Sequence, residues 1–254
     1  MPERGQTSGQ TLVEQVRAYE NRDHRLNLAT SFVQGSIHNM RANVAYYDNR
    51  DYDLADILDD LDTARDRLQN VGDVSEAMGV EASARRSYYA AFETVLPDEF
   101  NMGTREYNPP PNPVNALISY GNSLVYASIV SAIRATALDP AISFLHEPGE
   151  RRYSLALDIA DLFKPLLADR IIFRVVNRGQ IGIDDFESEL NACLLTDDGR
   201  KIYTKAFEET LDETIDHPQL NKKVSYQYLL PIEVYKLKKH LLTGEPYEPF
   251  ERWW

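Results

Sequence analysis

The chain is 254 residues long, enough for one large domain or two small ones, and it carries 40 acidic against 27 basic residues, a net charge of −13. A field of that sign repels phosphate, which excludes a uniformly basic nucleic-acid-binding surface but leaves room for a local basic groove. The single cysteine, Cys193, excludes an internal disulfide and fits a reducing, cytoplasmic setting, while the polar N-terminus and the apolar runs argue against a signal peptide or a membrane partner. The acidity is spread along the chain, as on the solvated surfaces that high-salt cytoplasm favours, so a haloarchaeal origin is expected.

In chain order, residues 1–9 read as a loose segment and Thr11 to Tyr19 as a short amphipathic helix. A longer helix over 24–47 places Leu28, Phe32, Ile37, Met40 and Val44 roughly on one side. Asp51 is positioned to cap the next helix, whose stripe is Leu54, Ile57, Leu58, Leu61 and Leu68. Asp73 or Ser75 opens a helix to about Val95, with Glu81 one turn before Ala84 and Tyr88 on its inward stripe. Asn101 to Pro113 is a proline-rich loop, and Asn112-Pro113 caps an almost wholly apolar central helix, Val114–Leu138.

Asp139-Pro140 suggests a short helix ending near His146. Leu155–Phe163 and Pro165–Asn177 read as two further helices, stopped by Gly179. Helices are also expected from Ile183–Asp184 through Leu195, over Lys201–Ile215 and over 224–242, ahead of an extended aromatic tail. No strand, repeat, glycine-rich phosphate loop or zinc-type Cys/His set is legible. The expected fold class is all-α, a multi-helix bundle, with residues 10–72 as a lead-in subdomain and 73–254 as a catalytic domain with a metal site.

The stretch Phe144 to Gly179 concentrates the chemistry. Asp158 and Asp161 stand one turn apart on a helix whose apolar stripe faces the core. A carboxylate at the edge of a core is costly without a positive partner, and both a metal ion and an arginine qualify. His146 and carboxylates from separate helices suit Mg2+ or Mn2+, the imidazole tilting the choice towards Mn2+. The structural alternatives stay open. Glu81 can pair with Arg85 or Arg86, Asp158 can bond Arg151 or Arg152, and His146 can be a satisfied core residue. Arg170, Arg174 and Arg178 recur every four residues, which fits either a phosphate-facing stripe or pairing with Asp161, Asp169 or other acids.

Four segments go beyond spacing. Gly79–Tyr89 (GVEASARRSYY) resembles the E-G-x-A-A-R-x-Y motif of the CRISPR spacer-acquisition integrases, and residues 109–126 resemble their P-P-x-D-P-V-N-A-L-L-S-x-G segment. Residues 137–179 are similar to the block that runs through F-L-H, S-L-A-L-D-L and F-R-P-L-x-D-R, and the ending GEPYEPFERWW also matches. Ala82, Arg85 and Asn112 depart from the pattern without touching a proposed ligand. The resemblance implies a metal-dependent DNA endonuclease and integrase that inserts spacer DNA into CRISPR repeat arrays by 3′-hydroxyl transesterification. It assigns Glu81, His146 and Asp158 to catalysis and metal binding, Asp161 to a supporting ligand position, and Arg86 to the acidic cluster or the DNA backbone.

The partners so implied are branched or duplex-end DNA with the CRISPR repeat, a second copy of the chain, and a second small CRISPR-associated adaptation protein. The family's usual N-terminal β domain is not legible, so the chain reads as the helical catalytic domain alone. A transposon-encoded integrase of the same fold and a non-catalytic DNA-binding assembly subunit are the alternatives.

Overall fold

The computed structural model describes residues 4–106, 109–149, 153–189, 192–217 and 222–253. Four helices open the chain: α1 (Arg4–Glu20), α2 (Arg22–Asp48), α3 (Ala55–Leu68) and α4 (Val74–Val95). The segment expected to be loose up to residue 9 is already helical from Arg4. Once a helix is nucleated, each further turn costs little, even through polar residues. α2 starts on an Asn21 cap that accepts from the His24 amide, and it buries residues on several faces. Phe32, Ile37 and Met40 are fully buried, each contributing about 1.5–3 kcal/mol by area. Ser36, Asn39 and Asn43 are buried beside them. This helix packs on α3 and α4 and on the later site helix, so residues on both sides of position 72 share one core.

Asp73 caps α4 as its sequence suggests, accepting from the Glu76 amide. Asp51 does not cap α3. It adopts a left-handed conformation (φ 67°), which aspartate tolerates better than most residues, and Asp48 accepts the Leu54 amide instead.

The middle of the chain supplies α5 (Pro113–Arg134), α6 (Ser154–Lys164) and α7 (Arg170–Asn177). Asn112 caps α5 with proline at the first position. α5 is long and apolar enough by composition to cross a membrane, contrary to the sequence reading, yet Leu117, Ile118, Val125 and Ile129 are fully buried in protein. It ends four residues earlier than expected, where the Thr136 hydroxyl bonds the Ile133 carbonyl. α6 and α7 are joined by one π-helical turn, Pro165–Asp169, in which the Arg170 amide reaches back to the Pro165 carbonyl. Pro165 has no N–H to give, so the regular ladder is interrupted where the wider turn begins.

Two expected helices are corrected. The segment after Asp139 forms turns, not a helix. The Asp139 side chain takes the Ala141 amide, and the amides of Phe144, Leu145 and His146 bond the Asp158 carboxylate, which withdraws four donors that a helical ladder there would use. The helix expected to run from 183 to 195 is a 3₁₀ turn, Ile183–Asp185, followed by strands β1 (Phe186–Glu189) and β2 (Ala192–Leu195). Cys193 and Leu195 are buried and alternate with half-buried neighbours, a period of two that the apolar content masks.

After α8 (Asp197–Asp212), capped by Thr196, come β3 (Thr214–His217) and β4 (Lys222–Ser225), then α9 (Tyr226–Thr243). Both strand pairs are antiparallel, with Phe186 opposite Leu195 and Thr214 opposite Ser225. The all-α assignment, with β structure missing from the chain, therefore does not hold: two small antiparallel sheets sit among the helices.

Candidate functional site

The site lies where α2, α4, α6 and the 143–147 turn meet. The carboxylate of Asp158 is fully buried and fully engaged. Its Oδ2 accepts the amides of Phe144 and Leu145 at 2.7 and 3.0 Å, and its Oδ1 accepts the His146 amide at 2.9 Å and His146 Nδ1 at 2.8 Å. Asp158 thus folds the turn around itself and fixes the imidazole. With Nδ1–H held by the carboxylate, Nε2 is the atom left to act, and it stands 4.0 Å from Asp161 Oδ2. Burial alone would lower the His146 pKa, but the bond to Asp158 and the charges of Asp161 and Asp158 raise it above its ordinary value.

Asp161, one turn further along α6, is the charged centre. Lys164 Nζ approaches its Oδ1 at 2.5 Å and Arg85 at 3.4 Å. Burial pushes its carboxyl up, yet Lys164, Arg85 and His146 together bring it down to about 2. Arg85 also holds Glu81 at 2.5 Å, so one guanidinium spans carboxylates of α4 and α6. Ser36 of α2 completes the wall, donating to the Asp161 carbonyl at 3.1 Å while Arg85 approaches its hydroxyl at 3.5 Å. Asn39, one turn on, donates to the carbonyls of Leu162 and Phe250 and accepts the Arg252 amide, which ties the tail to α6.

Of the sequence-predicted residues, Glu81, His146 and Asp161 converge, and Asp158 stands behind His146 as its orienting partner, with no oxygen left for another ligand. The pairing of Glu81 with Arg85 coexists with the inward aim that its stripe position implied. Arg151 and Arg152, considered as partners of Asp158, lie outside the described residues. Among the described residues no three His, Cys, Asp or Glu side chains gather closely enough to hold an ion as they stand. Two protein cations pair with these carboxylates instead, Arg85 bridging Glu81 and Asp161 and Lys164 bound to Asp161. The donor chemistry of two carboxylates and one imidazole Nε2 nevertheless suits a hard-to-borderline divalent ion. Lys164, Ser36 and Asn39 were not singled out from sequence. Only Lys164 left a signal, three residues after Asp161 on the same helix face.

The basic candidates divide. Arg86 is exposed on α4 and takes no part in the acidic cluster, whose arginine is Arg85. Arg174 is spent on structure, bonding Glu213 at 3.0 Å, the Ala206 carbonyl and Thr210. Arg170 reaches Tyr226 at 3.3 Å and Glu213 at 3.6 Å, so the acid that pairs with this stripe is Glu213 and not Asp161 or Asp169. Arg178 is exposed beside a shallow cavity of about 410 Å³ that Arg174 and Lys205 also line.

Comparison with known proteins bears on this arrangement. The family model described as CRISPR associated protein Cas1 matches residues 1–209. A CRISPR-associated endonuclease Cas1 from Haloferax volcanii, a haloarchaeon, is 52% identical over the whole of this chain and 77% of its own length. The structure of a CAS1 protein from Thermotoga maritima superposes with a TM-score of 0.82 at 37% identity, over 91% of this chain and 70% of that one. Two more distant structures share the fold alone. A casposase bound to integration product has a TM-score of 0.85 at 23% identity, over 97% of this chain and 72% of that one. A chain of a partial Cas6-RT-Cas1–Cas2 complex has a TM-score of 0.88 at 20% identity, over 100% and 76%.

Proposed function

The chain belongs to the CRISPR associated protein Cas1 family, and from that premise we propose that it is a DNA endonuclease and integrase of CRISPR adaptation, dependent on Mg2+ or Mn2+. The observation that carries the reading is that His146 Nε2 stands 4.0 Å from Asp161 while Arg85 bridges Asp161 to Glu81, with His146 locked by Asp158. These three side chains would hold the ion. When bound, it would supply charge neutralisation on the phosphate oxygens and activation of a 3′-hydroxyl or water. Asp158 supplies the orientation, and Ser36 fixes the Asp161 backbone. Arg85 and Lys164 hold Asp161 ionised, and both side chains are long enough to reach a phosphate at the site.

On this reading the substrate is branched DNA or duplex ends joined to a CRISPR repeat through the 3′-hydroxyl. The partners are a second copy of the chain and a small adaptation protein of the Cas2 kind, and the setting is the cytoplasm. One fold neighbour is a chain of a partial Cas6-RT-Cas1–Cas2 complex, which is consistent with such an assembly. The test is a strand-joining and nicking assay with Mn2+, Mg2+ or EDTA at low and high KCl, with His146→Ala alongside. Activity that needs the ion and disappears in the variant is expected. Full activity in a folded His146→Ala protein would sink the proposal.

A further inference from the structure

A pair of metal-ligating side chains lies away from the acidic site, where the start of α2 meets the end of α9. His24 and His240, 216 positions apart in the chain, bring their Nε2 atoms to 2.7 Å, with the rings edge-on and 4.9 Å between centroids. Local structure positions both. The Asn21 side chain accepts the His24 amide at 2.9 Å, which fixes that residue in the first turn of α2. His240 Nδ1 stands 2.6 Å from the Glu245 carbonyl oxygen, so Nδ1 carries the proton and Nε2 presents its lone pair. His24 resists protonation, because burial and the neighbouring His240 both lower its pKa. Both residues are half-buried, so solvent reaches the pair.

As the rings stand, the His24 Nε2–H donates to His240 Nε2. Exchanging that one proton for an ion leaves two neutral imidazole lone pairs facing a common point, and a carbonyl behind the ring, as at His240, is the usual support of a ligating imidazole. Tetrahedral coordination at about 2.0–2.1 Å sets two nitrogens about 3.3 Å apart, so the pair has to open by about 0.6 Å, which side-chain rotation supplies. Imidazole donors favour a borderline ion, Zn2+, Ni2+ or Cu2+, over the harder Mg2+ and Mn2+ that suit the oxygen-rich acidic site. We propose that His24 and His240 bind one such transition-metal ion, with solvent completing its shell, as a staple between α2 and α9. Both helices frame the acidic site. Ser36 and Asn39 of α2 hold the Asp161 and Leu162 carbonyls, and Glu233 of α9 holds the tail at Tyr247 and Phe250. The staple would tie these two supports together, and it does not depend on the function proposed above.

The test uses the full chain without DNA and Zn2+ as the probe, with uptake measured by isothermal titration calorimetry and stability by thermal unfolding. The background is His146→Ala, which removes the imidazole of the acidic site. His24→Asn, His240→Asn and the control His217→Asn, on β3, are added to it singly. Circular dichroism in EDTA checks that each chain is folded, and either pair variant alone suffices. The background chain is expected to take up one Zn2+ and to gain about 5 °C in melting temperature at Zn2+ about a hundredfold above its Kd. Loss of either ring should weaken uptake at least about tenfold and remove that gain, while His217→Asn keeps both. No uptake by the background chain, undiminished affinity in a folded pair variant, or an equal loss in His217→Asn would overturn the staple.

Discussion

Replacing Asp169 by asparagine is expected to stabilise the protein at neutral pH. Asp169 closes the π-helical turn, is 1% exposed, and neither of its oxygens has a hydrogen-bond partner of normal geometry. Burial raises its carboxyl pKa to about 6, against the opposing pull of Arg85, the Tyr88 hydroxyl, Lys164 and Arg105. The folded chain therefore binds this proton more tightly than the unfolded chain, whose carboxyl titrates near 3.8. Linkage then makes stability fall as pH rises from about 4 to about 6, the reverse of an ion-paired aspartate. The difference of about two pKa units corresponds to about 3 kcal/mol at pH 7.5 and to about 0.5 kcal/mol at pH 4. Urea unfolding of wild type and Asp169→Asn at both pH values measures it. The variant should be more stable by about 2–3 kcal/mol at pH 7.5, with the gap nearly closed at pH 4. A variant less stable than wild type at pH 7.5, or a gap that does not shrink on acidification, refutes the assignment of Asp169 as a strained buried charge.

Asp161 should behave in the opposite sense. Its pKa is depressed to about 2, so it contributes about 2 kcal/mol of stability that is present above pH 4 and lost as pH falls towards 2, and Asp161→Asn should show that loss in urea at pH 7.5. Asp158→Ala orphans three amides around the 143–147 turn and should cost at least about 3 kcal/mol, with strand joining abolished through loss of the His146 orientation; a mild stability effect would mean that the turn is held by other bonds. Gly121→Ala would drive a methyl into the buried Tyr203 hydroxyl and should cost about 1–3 kcal/mol by overpacking, read as a lower melting temperature. Glu233→Ala removes the acceptor for the Tyr247 hydroxyl and the Phe250 amide, so limited proteolysis should release the tail in the variant well before it does so in wild type.

The helices were legible because their signals are local. The caps Asp73 and Asn112, the stop at Gly179 and the stripes of α2 and α4 are all written within a turn or two of where they act. The strands were not legible, because ACLL reads equally as a buried helical segment and KKVS carries only one buried residue. At the site, Glu81, His146 and Asp161, all singled out from sequence, come from neighbouring elements, while the Asp158 carboxylate, expected beside them, is bonded to the 143–147 turn. Spacing shows that Asp158 and Asp161 share a helix side. It cannot show that the turn before α6 folds its own amides onto Asp158, because that choice is made by the helix already being in place. Arg85 and Arg86 were similarly indistinguishable by proximity to Glu81, and one helical step, about 100°, separates a buried cation from a solvated one.

The π-helical turn at 165–169 makes residue count, more than residue identity, the quantity held fixed between the two halves of this helical run. Upstream, Asp161 and Lys164 point into the acidic site; downstream, Arg170 and Arg174 reach Glu213 and the end of α8. Regularising the wide turn by deleting one residue would leave both helices intact but turn one against the other by about 100°. Either the acidic site or the Glu213 contacts would then lose their phase. The segment acts as a gear tooth, so side chains along it can be exchanged one at a time while a single deletion or insertion misaligns everything on one side.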